Sequence, residues 1–354
     1  MQRFDQQDPI RVMVVDDSLT ARTVLRKIIE NAEDLILLEA ANSAEQALEK
    51  LHNVEVDVIL LDLEMPGMGG LAALPELLAS AGEARIMIVS ALTAEGAKVT
   101  MTALSMGAAD TIQKPQVGEF DTEYRTDLAN RIRALRPKAT SANRSQLATR
   151  SAQPKVRKAN QNKIKSLAIG ASTGGIHSMC QFLKQLPKSF QPAIQITQHL
   201  PASFMPIFAN QIALASSRKT QIAADDMPVL PGEILIAPGD GHLSFTMKQD
   251  RSVVKILRHK VANGCCPSVD PMFESLADTL NGETIGVLLS GMGRDGLQGA
   301  EKIVAAGGII LAECPETCAV WGMPRGVTEA GLASAVASPE DLANWIGSRN
   351  LVTT

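Results

Sequence analysis

This 354-residue chain lacks a pair of cysteines spaced CxxC, an apolar run long enough to span a bilayer, an apolar leader core and a DNA-reading motif. Each absence removes a class of function. Its cysteines, Cys180, Cys265, Cys266, Cys314 and Cys318, are odd in number and irregularly spaced, so reduced thiols are expected rather than a disulfide framework, and metal binding through them is not expected. Residues Met1 to Ile10 are polar, and no stretch reaches the roughly 18 uninterrupted apolar residues of a membrane helix, so a cytoplasmic protein without membrane insertion is expected. A net charge of −4 and the absence of a helix-turn-helix or zinc-finger pattern argue against a nucleic-acid partner.

Acidic residues are also missing between Asp127 and Asp225, and this gap marks an organisational break. At 354 residues two cores are the natural solution. Before the break, the short apolar runs Arg11–Val15, Val56–Leu61, Ile86–Val89 and Thr111–Gln113 alternate with helical stripes. One stripe is Ala21, Val24, Leu25 and Ile28; another is Ala44, Ala47, Leu48 and Leu51, behind a Ser43/Gln46 capping pair. The strand rhythm resumes at Ile164–Ile169, Ala193–Gln198, Glu233–Ala237, Ile285–Ser290 and Gly308–Ala312. The expected organisation is a domain over 10–127, a basic polar linker over 128–163, helical at its start, and a second domain over 164–354. Both domains read as α/β folds with doubly wound parallel sheets.

Asp16 and Asp17 follow the first strand, and Asp62 ends a later apolar run, so a parallel sheet would bring three carboxylates to its C-terminal edge. Their mutual repulsion calls for a hard cation, and Mg²⁺ suits a site of carboxylate and phosphate oxygens. Ser90 and Lys114, the latter followed by Pro115, add a hydroxyl and a cation at the same edge. The strings VVDDS, LLDLEMPGMGG, IVSAL and IQKP resemble the receiver domain of two-component response regulators, a flavodoxin-like fold. The resemblance implies that Asp62 takes a phosphoryl group from a histidine kinase. It further implies that Asp17, Asp62 and the Glu64 carbonyl bind Mg²⁺ with help from Asp16, and that Ser90 and Lys114 contact the phosphoryl oxygens. One departure is Thr111, which stands three residues before the lysine where receivers usually carry an aromatic switch residue.

The second domain opens on Ile169-Gly170-Ala171-Ser172-Thr173-Gly174-Gly175, a strand entering a helix through small residues. Such a turn exposes a serine hydroxyl beside helix amides and fits G-x-S-x-G; a glycine-rich turn that cradles a phosphate is the competing reading. A serine nucleophile needs a base and an orienting carboxylate. His199 and Asp295 follow two other apolar runs, whereas His52, His177, His242 and His259 have weaker placements. The strings IGASTGG, TQHLP, IAPGDGH, PSVD, LLSGMGRDG and WGMPRG resemble, in that order, the catalytic domain of chemotaxis protein-glutamate methylesterases. That resemblance implies phosphorylation-activated hydrolysis of glutamate γ-methyl esters on chemoreceptor helices, and glutamine deamidation, through Ser172, His199 and Asp295. Met292 would supply an oxyanion donor, Thr173 would shape the site, and no cofactor is expected there. Cys265-Cys266 departs from the His-Arg common before PSVD in this family. The alternative is a response regulator whose second domain only binds a ligand.

Overall fold

The computed structural model describes residues 8–90, 94–114, 122–137, 156–159 and 163–348, and the chain divides into two compact units, Met1–Arg150 and Ser151–Thr354. Pro115 and most of the expected linker lie outside the described residues.

In chain order the first unit contains β1 (Ile10–Val15), α1 (Leu19–Glu30), β2 (Leu35–Ala41), α2 (Ala44–Leu51), β3 (Val58–Asp62), α3 (Gly70–Ser80), β4 (Arg85–Ser90), α4 (Ala94–Met106), β5 (Asp110–Gln113) and α5 (Thr122–Ala134). The strands form one parallel sheet in the order β2-β1-β3-β4-β5. All five residues of β3 are buried, as befits a central strand covered on both faces. Side-chain caps start two helices: the Ser18 hydroxyl accepts from the Ala21 N–H of α1, and Ser43 accepts from the Gln46 N–H of α2. The Gln46 amide oxygen reaches back to the Asn42 N–H, one residue earlier than the simplest capping box. Strand order reverses beside β1, so Asp16 and Asp62 meet at the crevice this topology creates. The expected boundary at residue 127 falls inside α5, whose Leu128, Ala129 and Ile132 are buried.

The second unit contains β6 (Ser166–Ala171), α6 (Gly175–Gln185), β7 (Ala193–Gln198), α7 (Met205–Ser216), β8 (Thr220–Ile222), β9 (Ile234–Ile236), β10 (His242–Lys248), β11 (Arg251–Leu257), α8 (Val269–Leu280), β12 (Thr284–Leu288), α9 (Leu297–Ala305), β13 (Ile309–Glu313), α10 (Met323–Glu329), β14 (Ala333–Ala337) and α11 (Pro339–Ser348). Seven strands form a parallel sheet in the order β14-β13-β12-β6-β7-β9-β8, while β10 and β11 make a separate antiparallel hairpin. From β6 the chain winds one way through α6 to β7, and from β12 it winds the other way through α9 to β13. Right-handed crossovers therefore place α6 and α9 on opposite faces. The hairpin packs against α8, and Leu243, Phe245, Val254 and Ile256 join Phe273 and Leu288 in one core. The reversal at β6 and β12 sets a crevice at the C-terminal ends of β6, β7 and β12, where Ser172, His199 and Asp295 lie just beyond the strands. No helix among the described residues is long and apolar enough to cross a membrane.

Candidate active site and phosphoacceptor site

In the first unit, Asp16 and Asp62 are buried while Asp17 is exposed, and carboxylate oxygens of the three lie within 4.8 Å of one another. Lys114 Nζ forms ion pairs with Asp16 at 2.8 Å and Asp62 at 2.6 Å. Burial pushes the Asp62 carboxyl above the usual carboxylate range despite Lys114 and the Glu64 N–H, which donates to it at 3.1 Å. Burial alone would lower the Lys114 pKa, but Asp16 and Asp62 outweigh it and raise it. This set of hard oxygen donors fits Mg²⁺, and the buried pair lacks enough positive charge without a cation. The Ser90 carbonyl accepts from the Lys114 N–H at 2.7 Å, which ties the end of β4 to the lysine, while the Ser90 hydroxyl accepts from Thr100 at 2.9 Å. Glu64 is exposed just beyond β3, and Thr111 is partly buried within β5.

In the second unit, the backbone fixes Ser172 before its side chain acts. Its N–H donates to the Ser290 carbonyl at 3.0 Å, and its carbonyl accepts from Gly175 N–H and from Gln198 Nε2, both at 2.9 Å. Gly174 takes φ +76°, and a Cβ there would lie 2.4 Å from Ala319 Cβ, so the turn into α6 requires glycine. The His199 N–H donates to the Ala171 carbonyl at 3.1 Å and holds the start of the histidine loop against β6.

His199 lies between the other two groups: Nδ1 is 3.1 Å from Ser172 Oγ, and Nε2 is 2.7 Å from Asp295 Oδ2. An ionised carboxylate only accepts hydrogen bonds, so Nε2 carries the proton and Nδ1 of the neutral ring is left to accept from the serine hydroxyl. The ring nitrogens are thus exchanged relative to the chymotrypsin-type triad, in which Nε2 faces the serine. Burial would depress the imidazole pKa, but hydrogen bonding and charge from Asp295, with a contribution from Cys265, push it up to about 9. Burial would likewise raise the Asp295 pKa, but His199, Ser268 and the Val269 N–H hold it down to about 2.

The support of Asp295 comes from residues that the strand-end pattern does not identify. Its Oδ1 accepts from Ser268 Oγ at 2.7 Å and Asn263 Nδ2 at 2.8 Å, and its Oδ2 accepts from the Val269 N–H at 2.7 Å. Ser268 stands at the start of α8, so the helix N-terminus also favours the carboxylate charge. His242 holds this serine in turn: its Nδ1 accepts from the Ser268 N–H at 3.0 Å, and its Nε2 donates to the His259 carbonyl at 2.8 Å. The PSVD string was the available signal for Ser268 and the IAPGDGH string, which ends on His242, the one for the histidine, although neither string states the role of its residue.

Glu313 is a second supporting residue outside the sequence-based set. It is fully buried at the end of β13, accepts from the Ser290 N–H at 2.7 Å and from Ser178 Oγ at 3.0 Å, and its pKa is raised by burial. Ser290 passes this anchoring on by donating from Oγ to the Thr173 carbonyl at 2.8 Å. Close by, Gly291 is pressed against Ser172, since a Cβ on it would sit 3.0 Å from Ser172 Cβ. The next residue, Met292, has an exposed side chain, and its N–H has no acceptor among the described residues. Cys265 also joins the site: its sulfur, His199 and Asp295 each offer a donor atom within 4.8 Å of the others.

Two family models match the chain: a response regulator receiver domain over residues 12–121 and a CheB methylesterase over 167–346. A protein-glutamate methylesterase/protein-glutamine glutaminase from Azospirillum brasilense is 36% identical, covering 96% of this chain and 92% of the relative. A second protein of that name, from Caulobacter vibrioides, is 38% identical over 96% of this chain and 99% of its own length. The crystal structure of the Thermotoga maritima CheB methylesterase catalytic domain matches with a TM-score of 0.51 and 34% identity, over 54% of this chain and all of that domain.

Proposed function

This chain belongs to the CheB methylesterase family and carries a receiver domain ahead of the catalytic one, and from that premise we propose a Ser172-His199-Asp295 mechanism switched on at Asp62. The enzyme is a protein-glutamate methylesterase/protein-glutamine glutaminase; its substrates are glutamate γ-methyl esters, and glutamine amides, on chemoreceptor cytoplasmic helices. The observation that carries the mechanism is the continuous chain from Ser172 Oγ through both His199 ring nitrogens to Asp295, at 3.1 and 2.7 Å.

Ser172 Oγ attacks the ester carbonyl carbon as its proton passes to His199 Nδ1, and the carbonyl electron pair moves onto oxygen. The Met292 N–H stabilises that oxyanion, and Thr173 shapes the turn beside it. The carbon–methoxy bond then breaks, and the Nδ1 proton goes to the departing oxygen as methanol forms. Water, deprotonated by the same nitrogen, cleaves the acyl-serine to give the glutamate carboxylate and restore the hydroxyl. With glutamine the leaving group is ammonia. Asp295 stays ionised throughout and holds the ring with Nδ1 toward the serine.

In the receiver, Asp62 accepts the phosphoryl group from a histidine kinase, Lys114 and Ser90 contact its oxygens, and Asp16, Asp17, Asp62 and the Glu64 carbonyl hold Mg²⁺. The cation, when bound, neutralises the clustered carboxylates and the incoming phosphoryl charge. The hard oxygen set, and the pairing of buried Asp16 and Asp62 with a partly exposed Lys114, support this assignment.

Incubation with a serine-directed phosphonate tests the nucleophile: mass spectrometry is expected to place the adduct on Ser172, and labelling of another residue in an inactivated enzyme refutes the assignment. A pH profile tests the base. A protonated imidazole cannot accept the serine proton, and the His199 pKa lies near 9, so kcat/KM is expected to climb about tenfold per pH unit below that value and then level. A profile that levels near neutral pH contradicts the raised pKa, and one with no ascending limb at any pH where the enzyme stays folded contradicts His199 as the base.

A further inference from the structure

The thiol of Cys265 reaches the triad from a fourth loop, between β11 and α8, and Asn263 locks it there. The Asn263 amide oxygen accepts from the Cys265 N–H at 2.9 Å, while its Nδ2 donates to Asp295 Oδ1 at 2.8 Å. One side chain thus fixes both the cysteine backbone and the carboxylate. The sulfur, an imidazole nitrogen and a carboxylate oxygen all lie within 4.8 Å of one another, although their residues are separated by tens of positions in sequence. Cys265 is partly exposed and the His199 side chain is 17% exposed, so a solute can reach the cluster.

We propose that His199 Nε2, Cys265 Sγ and Asp295 Oδ2 form a binding site for a soft divalent cation, zinc above all, and that its occupancy switches the esterase off. The donor types set the selectivity: thiolate and imidazole favour Zn²⁺, Cd²⁺ or Co²⁺, whereas Mg²⁺ prefers oxygen donors and water. The fit requires a small adjustment. Tetrahedral bonds of about 2.0 Å to nitrogen and oxygen separate those donors by about 3.3 Å. The His199 Nε2–Asp295 Oδ2 pair therefore opens from 2.7 Å, while the Val269 N–H can keep its bond to the same oxygen. Water completes the coordination from the open side.

The consequence for activity follows from the ring orientation, and this part rests on the triad reading above. The cation replaces the proton on Nε2 and the proton on Cys265; in the neutral ring the displaced Nε2 proton reappears on Nδ1, and the thiol proton is released to solvent. Nδ1 is the atom that faces Ser172 Oγ. With a hydrogen there it can no longer accept the serine proton, so a metal behind the ring disables the base without touching the nucleophile. Zinc would act as a reversible inhibitor, not as a cofactor.

The test uses the full chain in excess Mg²⁺, which fills the receiver carboxylates, titrated separately with Co²⁺ and Zn²⁺. The wild type and Cys266→Ser are expected to develop a thiolate-to-cobalt charge-transfer band at one equivalent and to lose ester hydrolysis as zinc is added. Cys265→Ser and Cys265→Ala, each referred to its own zinc-free rate, are expected to lack the band and to need at least about tenfold more zinc for half-inhibition, since even outer partners of a metal site cost that much. His199→Gln should also lose the band. A band or a zinc sensitivity that survives loss of Cys265 overturns the site. Binding is read without turnover, so failure of the triad assignment would appear separately, as hydrolysis that persists in Ser172→Ala while the cobalt result stands by itself.

Discussion

Ser172→Ala is expected to lower receptor methyl-ester hydrolysis by at least about 10³-fold, to near background, while leaving the fold intact. The side chain is partly exposed and its hydroxyl makes one contact of consequence, to His199 Nδ1, whereas the backbone bonds that hold the turn do not involve it. His199→Ala is expected to cost about as much, and Ser172→Ala/His199→Ala little more than either alone, because one transferred proton joins the two groups. Asp295→Ala should leave more residual activity, since the carboxylate orients the base without itself moving a proton; removing it also leaves Ser268, Asn263 and Val269 N–H without their acceptor. Rates measured on folded variants decide the matter. Full turnover by Ser172→Ala would end the assignment, and activity that followed Cys265 or Cys266 instead would favour a thiol nucleophile.

The second large effect is expected at Asp62. Asp62→Ala should abolish phosphoryl uptake from a small-molecule phosphodonor and binding of beryllofluoride with Mg²⁺, the fluoride complex standing in for the phosphoryl group. The buried carboxylate is held 2.6 Å from Lys114 Nζ at the mouth of the β1/β3 crevice, and Ala offers no oxygen for a phosphoryl or its analogue. Chelation of Mg²⁺ should have the same effect in the wild type, because the clustered carboxylates would otherwise repel the added charge. Calorimetry on both proteins checks this, and equal binding by Asp62→Ala would refute the phosphoacceptor assignment.

Much of this was legible in the sequence because both sheets are parallel: their strands are nearly continuous apolar runs, and the next polar residue falls on the functional edge. Asp16, Asp62 and Ser172 obey that rule; His199 follows a strand that is itself polar at Gln195, Thr197 and Gln198, and Asp295 lies further on, beyond Ser290 in the loop after β12. What escaped it has physical causes. β8 is a three-residue polar edge strand and β14 is built from Ala, Ser and Val, so neither presents a strong apolar run; β2, Leu35–Ala41, does present one, with an exposed side, and is missing from the expected runs. α5 buries only a narrow face beneath a polar sequence and therefore reads as linker. The partners of Asp295 come from a loop and a helix start 26 to 32 residues away, and only the folded chain brings Asn263, Cys265 and His242 into that network. Linear spacing does not register that the Cys265 thiol stands beside a distant imidazole and carboxylate. Likewise, no sequence pattern states which imidazole nitrogen faces the serine.

The central account is a phosphorylation-gated serine esterase, and its most direct test is the initial rate of methanol release from methyl-labelled chemoreceptor membranes, with Mg²⁺, in the presence and absence of a phosphodonor. Wild type is expected to accelerate on addition of the donor, Asp62→Ala to hold one basal rate in both conditions, and Ser172→Ala to stay at background in both. Release by Ser172→Ala at the wild-type rate, or donor-dependent acceleration in Asp62→Ala equal to that of wild type, would contradict it.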